Sequence, residues 1–142
     1  MGEIKESKVA IVTGAASGIG AALTRHLIDT NHLVLGVDIN SSKLNALSDD
    51  TGCATIVGDI AREEFNQSVA SHANEVFGRL DYVFLNAGIL GRDIELQGTE
   101  FKIDDLEQAK YHKTRSINFD AVVFGTIATS PYLTGGGGGS IV

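Results

Sequence analysis

A chain of 142 residues with 43% hydrophobic and 20% charged residues is one domain's worth, enough to bury about two thirds of the surface its unfolded form exposes. Its formal net charge of −7 argues against a nucleic-acid partner, because holding a phosphate backbone relies on clustered Lys and Arg. Cys53 is the only cysteine, so an internal disulfide and a multi-cysteine zinc site are excluded and a reducing compartment fits best.

Residues 1–7 form a polar leader without the apolar stretch of a secretory signal, and no run approaches the ~18 apolar residues of a membrane span, so a cytoplasmic protein without a membrane partner is expected. Lys8 to Thr13 (KVAIVT) is a β-branched run that reads as a buried strand. From Gly18 onward Ile19, Leu23 and Leu27, with Ala22 beside them, fall at helical spacing on one face. Leu33 to Val37 reads as a second strand, Ser41 or Ser42 as the cap of a helix holding Leu44 and Leu47, and Ala54 to Val57 as a third strand. Phe65, Val69, His72 or Ala73, and Val76 mark a longer amphipathic helix, followed by a fourth strand from Tyr82 to Leu85. Ile89 to Ile103 reads as irregular, and Asp104 with Glu107 as a capping box opening a helix that runs past Asn118 toward Ser130. Pro131 and the tract Gly135 to Gly139 are expected to end that helix, and Ser140 to Val142 to begin a fifth strand.

Alternating strands and helices imply an α/β, Rossmann-like, doubly wound parallel sheet over residues 8–142, truncated at the start of the fifth strand. Such a truncation is expected to leave the fourth strand's edge unpaired. The segment Thr13-Gly14-Ala15-Ala16-Ser17-Gly18-Ile19-Gly20 lies between the first strand and the first helix. Glycines in that position permit a tight turn and let a pyrophosphate approach a helix N-terminus, where unpaired N–H groups point outward. The alternative is a turn that serves chain reversal alone.

TGAASGIG is similar to the Thr-Gly-x-x-x-Gly-x-Gly fingerprint of the short-chain dehydrogenase/reductases, and Asp38, Asp59, Asn86-Ala87-Gly88 and Asn118 follow in the family's order. The resemblance runs from about Lys8 to Val142. It implies that Gly14, Ser17, Gly18, Ile19 and Gly20 hold a dinucleotide, with Asp38 and Ile39 at its adenosine ribose. It further implies that Asp59 and the Ile60 backbone meet adenine, and that Asn86, Ala87 and Gly88 border the cofactor. Asp38 stands where an acidic residue accepts from ribose hydroxyls. A 2′-phosphate at ~4 Å would meet about 4 kcal/mol of repulsion per unit charge at an effective dielectric near 20, and half of that disfavours NADP more than tenfold. Ala15, Ala16, Ser17, Ile39 and Asn40 supply no cation, so NAD is the expected cofactor. On the residues alone, Asp38 has the lesser alternative of capping the following turn, Asp59 could equally cap a helix near Ala61, and Asn86 could be a turn residue.

The family exchanges a hydride between cofactor and an alcohol or carbonyl carbon, a small-molecule substrate. A Tyr whose phenol is tuned by a Lys moves the proton, a Ser orients the substrate, and an Asn completes a relay. Asn118 matches the Asn and is the one expected catalytic residue. Tyr111 is followed four residues on by Arg115, not Lys, and Tyr82 and Tyr132 also lack the pattern. The Ser and the Tyr-x-x-x-Lys pair are expected beyond Val142, which makes this chain a fragment that is inactive alone. A non-catalytic nucleotide-binding or interaction protein is the alternative, and a methyltransferase fits the glycine spacing and Asn86-Ala87-Gly88 less well. His26, His32, His72 and His112 have no ligand-like spacing, so no metal is assigned. In the family the last helix often builds a subunit interface, which makes a homo-oligomer an expectation.

Overall fold

The computed structural model describes residues 7–90 and 107–142. Its elements are β1 (Val9–Thr13), α1 (Gly18–Asp29), β2 (Leu33–Asp38), α2 (Ser41–Thr51), β3 (Ala54–Val57), α3 (Glu63–Phe77), β4 (Tyr82–Phe84), α4 (Gln108–Arg115), a π-helical turn (Ser116–Asp120), α5 (Ala121–Gly135) and β5 (Ser140–Ile141). The strands form one parallel sheet in the order β3-β2-β1-β4-β5. Residues 91–106, which include most of the Ile89 to Ile103 segment and Asp104 of the expected capping box, lie outside the described residues, as does most of the leader.

Strand alternation divides the core in two. Val9 and Ile11 of β1 with Leu35 and Val37 of β2 face Val69 and Ala73 of α3 and Leu133 of α5. Ala10, Val12 and Val34 face the opposite way, onto Leu27 of α1 and Leu44 and Leu47 of α2. Both faces are thus covered, which is why the strands read as continuous apolar runs.

Several local expectations are corrected. The buried face of α1 is Gly20, Thr24 and Leu27, while Ile19 is 78% exposed and Ala22 is exposed. The helix is rotated from the expected stripe because Gly20 packs against the preceding turn. Asn40, not Ser41 or Ser42, caps α2, its Oδ1 accepting from the Lys43 N–H at 3.0 Å. In α3 the core positions are Asn66, Val69, Ala70 and Ala73; Val76 is exposed. Pro131 lies inside α5. Its ring removes a bond to the carbonyl of Ile127, but both residues are exposed, and burial of Leu133 carries the helix on to Gly135. The edge of β4 is paired: Tyr82 aligns with Ser140 and Val83 with Ile141, and the Leu85 N–H reaches the Val142 carbonyl at 2.8 Å.

The N-terminal ends of β1 and β4 are tied by Asp81, 5% exposed. Its carboxylate accepts from Arg79 Nε and Nη2 at 2.8 and 2.7 Å, from Lys8 Nζ at 2.8 Å and from the Val9 N–H at 2.9 Å. Burial pushes its pKa up, but the hydrogen bonds from Arg79, Lys8 and Val9 outweigh that and hold the carboxyl well below the usual carboxylate range.

Candidate dinucleotide cleft

Strand β1 is joined to β2 on one side, and the chain then crosses from β3 to β4 on the other, so the connections diverge at the C-terminal ends of β1 and β4. A ligand site is expected at such a switch point. A cleft of about 500 Å³ opens there.

The β1–α1 turn forms its floor. Gly14 has φ +69°, and a Cβ on it would lie 2.9 Å from the Ala87 Cα. A Cβ on Gly20 would fall 2.7 Å from the Gly14 carbonyl carbon and 2.8 Å from Asn86 Nδ2. These two glycines let the turn fold tightly against the β4 end. Ser17 is the N-cap of α1 in an extended conformation, yet its side chain makes no capping bond and the first turn holds no acid. The helix N-terminus therefore presents donors and partial positive charge without an internal acceptor from its cap.

Asp38 ends β2 beside this turn. Its Oδ2 accepts from the Ala16 N–H at 3.0 Å and its Oδ1 from the Asn40 N–H at 2.9 Å, so the carboxylate is fixed between the glycine turn and α2. Asp59 does not cap α3, which starts at Glu63 after Arg62; it closes a local turn by accepting from the Ala61 N–H at 2.9 Å. Ile60 is held from below, since Asn66 Nδ2 donates to its carbonyl at 2.7 Å.

On the β4 side, Asn86 Nδ2 donates to the Thr13 carbonyl at 3.0 Å, while Thr13 Oγ1 accepts from the Ala87 N–H at 3.1 Å and donates to the Phe84 carbonyl at 3.3 Å. These bonds lace the ends of β1 and β4. Asn118, at the middle of the π-helical turn, accepts from the Ile89 N–H at 2.8 Å and donates to the Ile89 carbonyl at 2.9 Å. Its amide thus grips one residue of the segment that continues from Gly88.

Of the residues expected at a dinucleotide, Gly14, Ser17, Gly18, Ile19, Asp38, Ile39, Asp59, Ile60, Asn86, Ala87 and Gly88 line the cleft. Gly20 is set beneath the turn, and Asn118 reaches the site through Ile89, with its neighbour Ile117 on the wall. Sequence reasoning gave Thr13 no role beyond its place in the fingerprint, and it missed Asn66 and Lys43. Lys43 lines the cleft beside Asp38 and Asn40. Its signal was present in the three-residue offset from Asn40, but the offset acquires meaning only once Asn40 is the cap. Among the described residues no cluster of His, Cys, Asp and Glu suits a metal ion, and no helix is long and apolar enough to cross a membrane.

The family model described as short chain dehydrogenase matches residues 8–142. The chain is 28% identical over 137 residues to a mitochondrial borneol dehydrogenase of Lavandula x intermedia, covering 96% of this chain and 51% of that protein. It is 30% identical to the short-chain dehydrogenase reductase ATA1 of Arabidopsis thaliana over 95% of this chain and 47% of the other. Its fold superposes with a TM-score of 0.83 on a short-chain dehydrogenase from Streptomyces avermitilis, at 22% identity, over 96% of this chain and 48% of that one. The chain spans about half the length of these relatives.

Proposed function

Because the chain belongs to the short chain dehydrogenase family, we propose that its cleft binds NAD(H), as the cofactor-holding part of an oxidoreductase acting on an alcohol or carbonyl substrate. The observation that carries this is the pairing, in one cleft, of an α1 N-terminus lacking a side-chain cap with a carboxylate fixed at the end of β2. The residues fit the group. Gly14 and Gly18 line the cleft at the start of α1, so a pyrophosphate can approach the backbone there, and the N–H groups of α1 receive that anion. Asp38, already oriented by two backbone donors, accepts from the adenosine ribose hydroxyls. Asp59 and Ile60 stand at the adenine, and Asn86 to Gly88 border the nicotinamide end.

When bound, the nicotinamide supplies the hydride acceptor or donor. Asn118 is the one residue of this chain that we assign to the family's catalytic set, and its side-chain amide holds Ile89 by both backbone groups. Tyr82, Tyr111 and Tyr132 are followed four residues on by Asn86, Arg115 and Gly136, so none offers the Tyr-x-x-x-Lys arrangement. The chain alone is therefore proposed to bind cofactor without sustained turnover. Titration calorimetry with NAD and NADP tests the cofactor assignment: NAD is expected to bind more tightly, and tighter NADP binding would sink it.

We also propose that the chain self-associates through α5. That helix buries Ala121, Gly125, Thr129 and Leu133 inward, yet its outer side carries Val122, Val123 and Ile127, with Phe119 preceding them, all exposed. A helix apolar on both sides is built to be covered on both, and a second copy offers the same surface.

A further inference from the structure

Among the described residues Asn66 is the one buried amide, 4% exposed on the inward face of α3 beside Val69, Ala70 and Ala73. An apolar side chain would fill that place without the cost of taking an amide out of water. The amide is directed at the β3–α3 loop: Nδ2 donates to the Ile60 carbonyl at 2.7 Å and to the Arg62 carbonyl at 2.9 Å. Two carbonyl acceptors call for the NH2 end of the amide, which fixes its orientation. The Ile60 carbonyl and the Ala61 N–H belong to one planar peptide. That N–H donates to Asp59 Oδ1 at 2.9 Å, so the peptide is held at both ends, by Asn66 on its carbonyl and by Asp59 on its N–H. The preceding side chain, Phe65, closes the other end of the loop, since a Cβ on Gly58 would run into its ring. Two consecutive residues of α3 thus set the loop on either side of Asp59. Asp59 lines the cleft, and its Oδ2 has no hydrogen-bond partner among the described residues.

We propose that Asn66 is a positioning residue for base selection: through the Ile60–Ala61 peptide it aims the Asp59 carboxylate at the exocyclic amine of the dinucleotide's purine. This rests on the dinucleotide reading above. Asp59 is acceptor-only; the 6-amino group of adenine is a donor, whereas hypoxanthine carries at that position an oxygen, which a carboxylate repels. Oδ1 is engaged by the Ala61 N–H, and Oδ2 is left for the amine. Hydrogen bonds in a chain polarise one another, so donation from Asn66 to the peptide carbonyl strengthens the Ala61 N–H as a donor and holds Asp59 more firmly. Choice of base at the cleft therefore depends on a side chain that stands behind its wall rather than on it.

The test is the dissociation constant of NAD and of nicotinamide hypoxanthine dinucleotide, by titration calorimetry, for the unaltered chain, Asn66→Leu and Val9→Ala. Leu keeps the branched shape of Asn and removes both donors. Val9→Ala loosens the same core at the end of β1 away from the cleft, and so reads a loss of stability alone. The unaltered chain is expected to bind NAD about tenfold more tightly than the hypoxanthine dinucleotide, the scale of one hydrogen bond to a charged group. Asn66→Leu is expected to bring that preference down to about threefold or less, by weakening NAD, and Val9→Ala to leave it at its starting value. An unchanged preference in Asn66→Leu, an equal fall in Val9→Ala, or no preference in the unaltered chain overturns the proposal and leaves the cofactor reading standing. Failure of the unaltered chain to bind NAD overturns both. Should Asn66→Leu not fold, Asn66→Ser is read by the same ratio, because a serine hydroxyl bonds the carbonyl four residues back, that of Arg62, and forgoes that of Ile60.

Discussion

Gly18 and Gly20 are two residues apart in one turn, but the structure places different demands on them. At Gly18, φ is +52° and a Cβ would meet nothing within 4 Å, so an alanine there meets only the backbone's reluctance to adopt a left-handed conformation. At Gly20 an added Cβ would meet the Gly14 carbonyl group and the Asn86 amide, whose bond to Thr13 holds the end of β1 against β4. Gly18→Ala is thus expected to lower stability by about 1 to 2 kcal/mol. Gly20→Ala is expected to cost about 3 kcal/mol or more and to abolish dinucleotide binding. Urea denaturation with calorimetric binding checks both; equal effects would show that the turn does not depend on the close approach at Gly20. The spacing of these glycines was legible because it is contiguous in sequence and reflects one backbone shape. The role of Thr13 and the place of Lys43 were not legible. Thr13 matters because the fold brings Ala87 and Phe84 to its hydroxyl, and Lys43 lines the cleft because Asn40 sets where α2 begins.

Strands were readable nearly to the residue: β1 and most of β2 are apolar runs buried on both sides, and the partly buried Ala54–Val57 is observed with the expected bounds. Helices were less so. A stripe at helical spacing gives the existence of a helix but only loosely its rotation: Ile19 was expected inward and lies at the cleft, while the buried polar Thr24 and Asn66 take inward positions that hydrophobicity does not mark. Pro131 misled for a related reason, because proline's conflict is with one carbonyl and that carbonyl can face solvent. The elements meet most tightly at Asp81, which joins β1 to the start of β4. Its folded pKa lies below its unfolded one, so the stability it contributes is complete above about pH 4 and is lost as pH falls through the lowered folded value. Asp81→Asn is expected to destabilise the chain by about 2 to 4 kcal/mol at neutral pH, leaving Arg79 and Lys8 without their carboxylate. It should also flatten the acid limb of a pH–stability curve measured by urea denaturation. An unchanged acid limb would mean that Asp81 is not the group being titrated.

At the scale of the whole molecule, the order β3-β2-β1-β4-β5 follows from alternating elements and from the crossover that places β4 on the far side of β1. The alternation was visible in the sequence, and so was a strand beginning at Ser140; that these few residues already cover the edge of β4 was not, because pairing is set by where the turn after α5 delivers them. Self-association is argued at this scale too. Ile127 is 62% exposed on the outer side of α5, and Ile127→Lys is expected to shift the purified chain toward a monomer in light scattering without lowering its melting temperature. A monomeric unaltered chain would remove the case. The parallel direction of every strand has one further result. All strand beginnings gather at one pole, where Asp81 ties β1 to the start of β4, and all strand ends gather at the other, where Asp38, Lys43 and the glycine turn stand. The Asp81 ion cluster and the residues that face the ligand are thereby set at opposite poles, about a strand's length apart. A change of charge at the cleft therefore leaves the Asp81 cluster, at the far end of the strands, untouched.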